Sequence, residues 1–166
     1  QDYGIVAGES KADFNAVIKR SRGVADKMSK GIQFLMKKNK IDVLMGMGKL
    51  NAKKEVEVTG ADGKVTAHQA KHIILATGGR ARQLPNLPID GKEIIGYREA
   101  MNLPAQPKSM IVVGSGAIGV EFAYFYHAMG TKVTIVEFMP RIVPVEDDDI
   151  SRELERLYKK KGMTIM

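Results

Sequence analysis

The 166-residue chain contains no cysteine and no tryptophan, and aromatic residues make up only 6% of it. Without cysteine, the chain cannot form a disulfide framework, a thiolate metal site or a thiol redox centre. No apolar run approaches the ~20 residues that span a bilayer, and the first residues lack the charged-then-apolar pattern of a secretion signal. We therefore expect a soluble cytoplasmic protein that does not enter membranes.

Positive charge is concentrated in the first half of the chain. Residues 1–82 hold 16 basic and 8 acidic side chains, a net charge of +8, whereas residues 83–166 hold 10 and 11, a net charge of −1. The basic half has no nucleic-acid motif and no interleaved aromatic residues, so we interpret it mainly as a solvated helix face and expect no nucleic-acid partner. The alternative, a polyanion-binding surface, would bind with a steep salt dependence.

The first 80 residues predict a helix followed by short strands. Apolar residues spaced three and four apart predict a long helix that Ser10 caps, with Asp13 in the capping-box position, and that Asn39 stops after about Lys38. Strands are predicted at 42–47, 55–59 and 64–68, with a hairpin turn at 61–63, which gives a small antiparallel meander. A buried strand is predicted at 72–77. His68 and His72 have no acid at a ligand spacing, so no metal site is predicted.

Residues 80–107 contain four of the six prolines, which indicates a linker with one short helix near 98–101. An apolar strand at 110–113 then leads into Gly114, Gly116 and Gly119. This Gly-x-Gly-x-x-Gly spacing is typical of a dinucleotide-binding turn, which allows a tight bend, close approach of a pyrophosphate and helix–sheet packing. A helix and a second strand at 132–136 follow.

Glu137 stands at the end of that second strand, where an acid can accept hydrogen bonds from the adenosine ribose. It would repel a 2′-phosphate, and no arginine follows immediately to compensate, so the sequence favours NAD over NADP. The glycine pattern by itself fits a plain strand-to-helix turn equally well; the strand, helix and acid around it favour nucleotide binding.

Residues 147–149 then predict the start of a helix that ends near 159–161 and is closed by Gly162, before a third strand opens at 164–166. The predicted fold is α/β, with partial Rossmann-like nucleotide-binding domains, an antiparallel meander and an incomplete parallel sheet. Because that sheet lacks its later strands, we expect the chain to be an internal fragment of a larger enzyme.

Four segments resemble the flavin-dependent pyridine nucleotide disulfide oxidoreductases, in that family's order, and most closely its dihydrolipoyl dehydrogenase branch. They are KGIQFLMKKNKIDVLMGMG at 30–48, HIILATGG at 72–79, GSGAIGVEFA at 114–123 and TIVEFMPRIVPVEDDDIS at 134–151. The resemblance implies that residues 1–90 end the first FAD-binding segment and that residues 91–166 form a linker and the first half of an NAD-binding domain.

The resemblance also implies cofactor contacts for particular residues. Those expected to contact FAD are Gly48, Thr77, Gly78 and Gly79. Those expected to form the NAD pyrophosphate turn and the first helical turn are Gly114, Ser115, Gly116, Ala117, Ile118, Gly119, Val120 and Glu121. Of these, Ile118 and Glu121 would reach toward the nicotinamide and the flavin, and Glu137 would bind the adenosine ribose.

Several parts of the family pattern are missing from this sequence. The first Gly-rich flavin motif, the paired redox cysteines, the His-Glu base and the dimer domain have no counterpart in it. In an intact enzyme, the resemblance implies that dihydrolipoamide reduces a disulfide, the dithiol reduces FAD, and NAD accepts the hydride. Without a thiolate or its base, the chain has no candidate catalytic residue, and we expect it to be inactive alone.

The expected parent is a homodimer within 2-oxo acid dehydrogenase complexes, and exposed strand edges make self-association of the fragment an expectation. Two alternatives stay open at this point. One is a fragment of a sister flavoprotein disulfide reductase or an NADH oxidase, and the other is a free-standing NAD-binding or regulatory module.

Overall fold

The computed structural model describes Gly8 and residues 11–166, so the predicted cap at Ser10 lies outside the described residues. The chain divides into two compact units, one formed by residues up to 22 together with 81–166 and the other by 23–80. The elements are α1 (Phe14–Lys38), β1 (Met47–Leu50), β2 (Val56–Thr59), β3 (Val65–His68), α2 (Tyr97–Ala100), β4 (Ser109–Val113), α3 (Ala117–Ala128), β5 (Lys132–Val136), α4 (Asp148–Lys160) and β6 (Thr164–Ile165). The predicted α/β class is confirmed, whereas the proposed division at residue 90 concerns a parent enzyme and stays a prediction.

The long helix α1 is confirmed, and Asp13 stands just before its first residue. Asp13 Oδ1 accepts a hydrogen bond from the Ala16 N–H at 3.0 Å, as the side chain of an N-cap residue does. At the other end, Asn39 Nδ2 donates to the Leu35 carbonyl at 2.8 Å and Lys40 adopts a left-handed φ of 56°. This satisfies one of the last carbonyls and turns the chain away from the helix axis.

The second unit contains the antiparallel meander in the order β1-β2-β3, as predicted. Its hairpin closes where the Gly60 N–H donates to the Lys64 carbonyl at 2.9 Å. The first strand was predicted at 42–47 but is wrong in position, because β1 pairs with β2 only from Met47 onward. The chain runs so close to β2 at Gly46 that a Cβ there would lie 2.4 Å from the Thr59 carbonyl oxygen.

The buried strand predicted at 72–77 is also wrong. Residues 73–83 form no strand or helix, and Ile74 and Leu75 are 90% and 69% exposed. A strand exists only when its N–H and C=O groups pair with a neighbour. No other strand in the part of the chain that the structure describes lies alongside this run.

The first unit contains a parallel sheet in the order β4-β5-β6, as the alternation of strands and helices predicted. The register places Met110 beside Val133 and Val112 beside Ile135, and these residues point to the face that α3 and α4 cover. α2 appears one residue before its predicted position. Nowhere in residues 11–166 is a helix both long and apolar enough to cross a membrane.

Two buried tyrosines connect the helices of the first unit. The Tyr126 hydroxyl of α3 donates to the Ala100 carbonyl at 2.5 Å, and the Tyr158 hydroxyl of α4 donates to the Val120 carbonyl at 2.9 Å. Burial raises the pKa of both phenols, which therefore stay protonated and able to donate. α3 is thus held against α2 on one side and α4 on the other.

Candidate nucleotide-binding site

The turn between β4 and α3 brings the three predicted glycines to the carboxyl end of the parallel sheet. Gly114 adopts a φ of +96°, which side chains rarely tolerate, and its N–H donates to the Val136 carbonyl at 2.8 Å. A Cβ at Gly119 would lie only 2.2 Å from the Gly114 carbonyl oxygen. The helix can therefore approach the turn this closely only without a side chain at position 119.

Gly116 forms the N-cap of α3 and leaves the mouth of the turn open. Gly116 is exposed, and no atom beyond its chain neighbours lies within 4 Å of the position that a Cβ would take. The first N–H groups of this 12-residue helix have no intrahelical partner, and no side chain among the described residues caps them. Such a helix end, with its positive dipole, is suited to bind a phosphate group.

Glu137 is hydrogen-bonded to this turn through one carboxylate oxygen, and its other oxygen is held by the chain that follows it. Oε2 accepts from the Ser115 N–H at 2.8 Å and from the Ser115 hydroxyl at 2.5 Å, and Oε1 accepts from the Met139 N–H at 2.9 Å. Ser115 is fully buried, whereas Glu137 is half-buried. The acid thus lies beside the glycine turn, 22 residues away in sequence from its main partner.

The protonation state of Glu137 follows from these contacts. Partial burial works against ionisation, but the hydrogen bonds from the Met139 N–H and from the Ser115 hydroxyl and N–H favour the charged form. Together they hold the pKa of Glu137 below the ordinary glutamate range. The site therefore presents a carboxylate, an acceptor only, at neutral pH.

The segment after Glu137 folds back onto the turn, which the sequence did not predict. The Val143 N–H donates to the Ser115 carbonyl at 3.0 Å, and the Val143 side chain is buried although its φ is +41°. A β-branched residue is a clear outlier in that region, and the surrounding structure must hold it there. Arg141 supports the segment through its ion pair with Asp148 and a bond to the Pro144 carbonyl.

Pro140 and Pro144 indicated irregular chain at this point but gave no sign of its path. The contact to Ser115 depends on packing between residues far apart in sequence, and no local pattern encodes it. A weak signal was available in the adjacent apolar residues Ile142 and Val143, which lie between Pro140 and Pro144.

The remaining residues predicted to contact NAD lie on the first turn of α3. Ile118 and Glu121 are exposed, as is Ala117, whereas Val120 packs its side chain into the core. Val120 can therefore contact a ligand only through its backbone. Their contacts with a nicotinamide or a flavin remain predictions.

The residues predicted to contact FAD belong to the second unit. Gly48 lies exposed in β1, and Thr77, Gly78 and Gly79 lie exposed in the irregular run after the meander. Gly78 adopts a φ of +74°, and no atom lies within 4 Å of a Cβ built on any of the three glycines. These residues leave room for a large ligand but do not enclose one.

No group of three or more His, Asp or Glu residues among the described residues could hold a metal ion.

Comparison with known proteins places these features in a family. The model of the pyridine nucleotide-disulphide oxidoreductase family matches residues 4–166. Curated relatives include the dihydrolipoyl dehydrogenases of Chlorobaculum tepidum, 48% identical over 165 residues, and of Zymomonas mobilis, 43% identical over 164 residues. Each alignment covers 99% of this chain but 35% of the relative, so the chain spans about a third of the length of the relatives it matches.

Solved structures show the same relation. The crystal structure of LpdA from Mycobacterium tuberculosis matches with a TM-score of 0.86 and 30% identity, covering 96% of this chain and 36% of that one. The HOCl-induced flavoprotein disulfide reductase RclA from Escherichia coli matches with a TM-score of 0.82 and 27% identity, covering 93% of this chain and 35% of that one. The glycine turn, the parallel sheet and the family match across nearly the whole sequence lead to one conclusion: the chain belongs to the pyridine nucleotide-disulphide oxidoreductase family.

Proposed function

We propose that this chain is the cofactor-positioning part of a dihydrolipoyl dehydrogenase, an enzyme that oxidises dihydrolipoamide with FAD and reduces NAD. The observation on which the nucleotide part depends is the Glu137 carboxylate, held beside the open glycine turn at the start of α3. The choice of enzyme within the family is supported by the names of relatives up to 48% identical to it. A cytoplasmic location belongs to the same proposal.

In this proposal, the turn from Gly114 to Gly119 holds the pyrophosphate of NAD. The N–H groups at the start of α3 would donate to the phosphate oxygens, and the open space at Gly116 allows the ligand to approach the backbone. Glu137 would accept from the hydroxyls of the adenosine ribose. An ionised carboxylate has about four lone-pair positions, and the three donors from Ser115 and Met139 leave acceptor capacity for the ribose.

Glu137 also accounts for the choice of NAD over NADP. A 2′-phosphate would bring a second negative charge to the side chain that binds the ribose, and like charges at such a distance repel. Arg141 lies nearest in sequence as a compensating cation, but its guanidinium pairs with Asp148 and the Pro144 carbonyl. We therefore propose a preference for the unphosphorylated dinucleotide.

The flavin part of the proposal is supported by family membership and by four exposed residues, Gly48, Thr77, Gly78 and Gly79. The glycines allow close backbone approach, and the Thr77 hydroxyl could donate or accept a hydrogen bond. When bound, FAD would transfer electrons between a dithiol and NAD. The chain contains no cysteine, so we propose that it is inactive without the rest of its parent, a homodimer in 2-oxo acid dehydrogenase complexes.

Calorimetric titration of the chain with NAD and with NADP tests the nucleotide proposal. In Glu137→Ala, NAD should bind about tenfold more weakly because one charge-assisted hydrogen bond from the ribose is lost, while NADP should be affected less because the repulsion is also removed. Glu153→Ala removes an exposed carboxylate on α4 that pairs with Arg156, and it is the matched control. Equal weakening of both nucleotides in Glu137→Ala would exclude the ribose role.

A further inference from the structure

Ser115 lies between two glycines of the turn, at a position that the Gly-x-Gly pattern leaves unspecified. Its side chain is fully buried, so it cannot touch a ligand at the mouth of the turn. A buried hydroxyl is costly unless it makes a hydrogen bond. Its partner here is the Glu137 carboxylate, at 2.5 Å from Oγ.

The backbone of Ser115 is fixed from both sides. Its N–H donates to the same Glu137 oxygen at 2.8 Å, and its carbonyl accepts from the Val143 N–H at 3.0 Å. Two donors from one residue therefore converge on Oε2, while the Met139 N–H holds Oε1. This arrangement restricts rotation of the carboxylate, since turning it would break at least one of these bonds.

We infer that Ser115 is a positioning residue: its buried hydroxyl orients the Glu137 carboxylate to receive the adenosine ribose and so strengthens selection of a dinucleotide without a 2′-phosphate. The effect on nucleotide selection rests on the proposed function, whereas the hydrogen bonds between Ser115 and Glu137 do not depend on it. The Glu137 side chain has several rotatable bonds, and fixing it before the ligand arrives removes an entropic cost from binding. Alanine at position 115 would keep the backbone bond and lose the hydroxyl bond.

The test compares the wild-type chain with Ser115→Ala, Glu137→Ala and the double variant. Ser115→Ala should bind NAD about fivefold more weakly, the change expected from one lost hydrogen bond of about 1 kcal/mol, and the NAD-to-NADP preference should narrow. In the Glu137→Ala background, the Ser115 substitution should have no further effect, because a positioning residue acts only through the residue that it positions. Equal weakening in both backgrounds would overturn the inference.

A second measurement does not depend on NAD binding. Titration of the Glu137 side-chain carboxyl by ¹³C NMR should give a higher pKa in Ser115→Ala than in the wild type, because a donor to the charged form is removed. An unchanged pKa would overturn the inference. If the wild-type chain binds no NAD, the proposed function fails, while this titration still decides whether Ser115 holds Glu137.

Thr131→Val provides the matched control. Thr131 is nearly fully buried and donates its hydroxyl to the Pro107 carbonyl at 2.8 Å, at the end of β5 opposite to Glu137. Loss of this hydroxyl bond should reduce the free energy of unfolding about as much as Ser115→Ala does, but it should not change the NAD-to-NADP preference or the pKa of Glu137. A change in either of these in Thr131→Val would show that general destabilisation explains the Ser115 result.

Discussion

Gly119→Ala adds one methyl group at the point where α3 passes closest to the glycine turn. The new Cβ would lie 2.2 Å from the Gly114 carbonyl oxygen and 3.1 Å from its carbon. The first distance is about 1 Å shorter than ordinary van der Waals contact, and the obstructing group is backbone, which cannot rotate away as a side chain can. The helix or the turn must therefore move.

The magnitude follows from two opposing terms. Overpacking of this kind costs about 1–3 kcal/mol, and replacing a glycine inside a helix returns up to about 1 kcal/mol. We expect a net loss of about 2 kcal/mol in the free energy of unfolding, because the contact is at the severe end of the range. For a chain of this size, that corresponds to a melting temperature lower by about 4–8 °C.

Urea denaturation followed by tyrosine fluorescence is the suitable assay. The chain has no tryptophan, and Tyr97, Tyr124, Tyr126 and Tyr158, the tyrosines among the described residues, all belong to the unit that contains Gly119. The signal therefore reports on that unit. NAD affinity should fall in parallel because the turn is displaced.

Gly31→Ala is the control, followed by circular dichroism. Gly31 lies inside α1, and nothing is within 4 Å of its Cβ position, so alanine there should stabilise the helix by up to about 1 kcal/mol. If Gly119→Ala proved as stable as the wild type, or shifted in the same direction as Gly31→Ala, the close approach of helix and turn would be refuted.

Three further perturbations have defined outcomes. Tyr126→Phe should lower the free energy of unfolding by about 1–2 kcal/mol in thermal denaturation, because the buried Ala100 carbonyl loses its donor. Tyr124→Phe, at a side chain that is 46% exposed, should lower it much less, and equal losses would refute the role of the Tyr126 bond. Asp147→Ala should remove the N-cap of α4 and cost about 1 kcal/mol, with Asp147→Ser recovering most of it in urea denaturation; a serine variant no more stable than alanine would count against capping. The lowered pKa of Glu137 contributes stability that is present above the unfolded-state pKa and lost as pH falls through the folded-state pKa, so acid should destabilise the wild type more than Glu137→Gln, and parallel pH profiles would contradict this.

Elements with strong local signals were predictable from the sequence. β5 occupies the predicted residues, and α1, α3 and α4 lie where apolar spacing, glycines and terminal charges indicated. The glycine spacing also predicted that Glu137 would return to the turn, because parallel strands joined by a helix bring their carboxyl ends together. These features depend on local sequence and on chain topology alone.

The failures share a different cause. The run at 72–77 has the composition of a buried strand, but pairing depends on a neighbouring strand rather than on composition. The hydrogen bonds from Ser115 to Glu137 and from Val143 to Ser115 are likewise decided by tertiary packing. Sequence patterns located the turn, but they did not predict how its acid is held.

The parallel sheet also has consequences for handling this protein in solution. Ile111 and Val113 on β4 are 69% and 52% exposed, and they point away from α3 and α4. Parallel sheets ordinarily have a layer of helices on each face, and no described element of the first unit supplies the second layer. Purified samples should therefore become turbid as the protein concentration rises and bind dyes that fluoresce on exposed apolar surface. Mild detergent should reduce the turbidity, and the Ile111→Lys variant should aggregate less than the wild type.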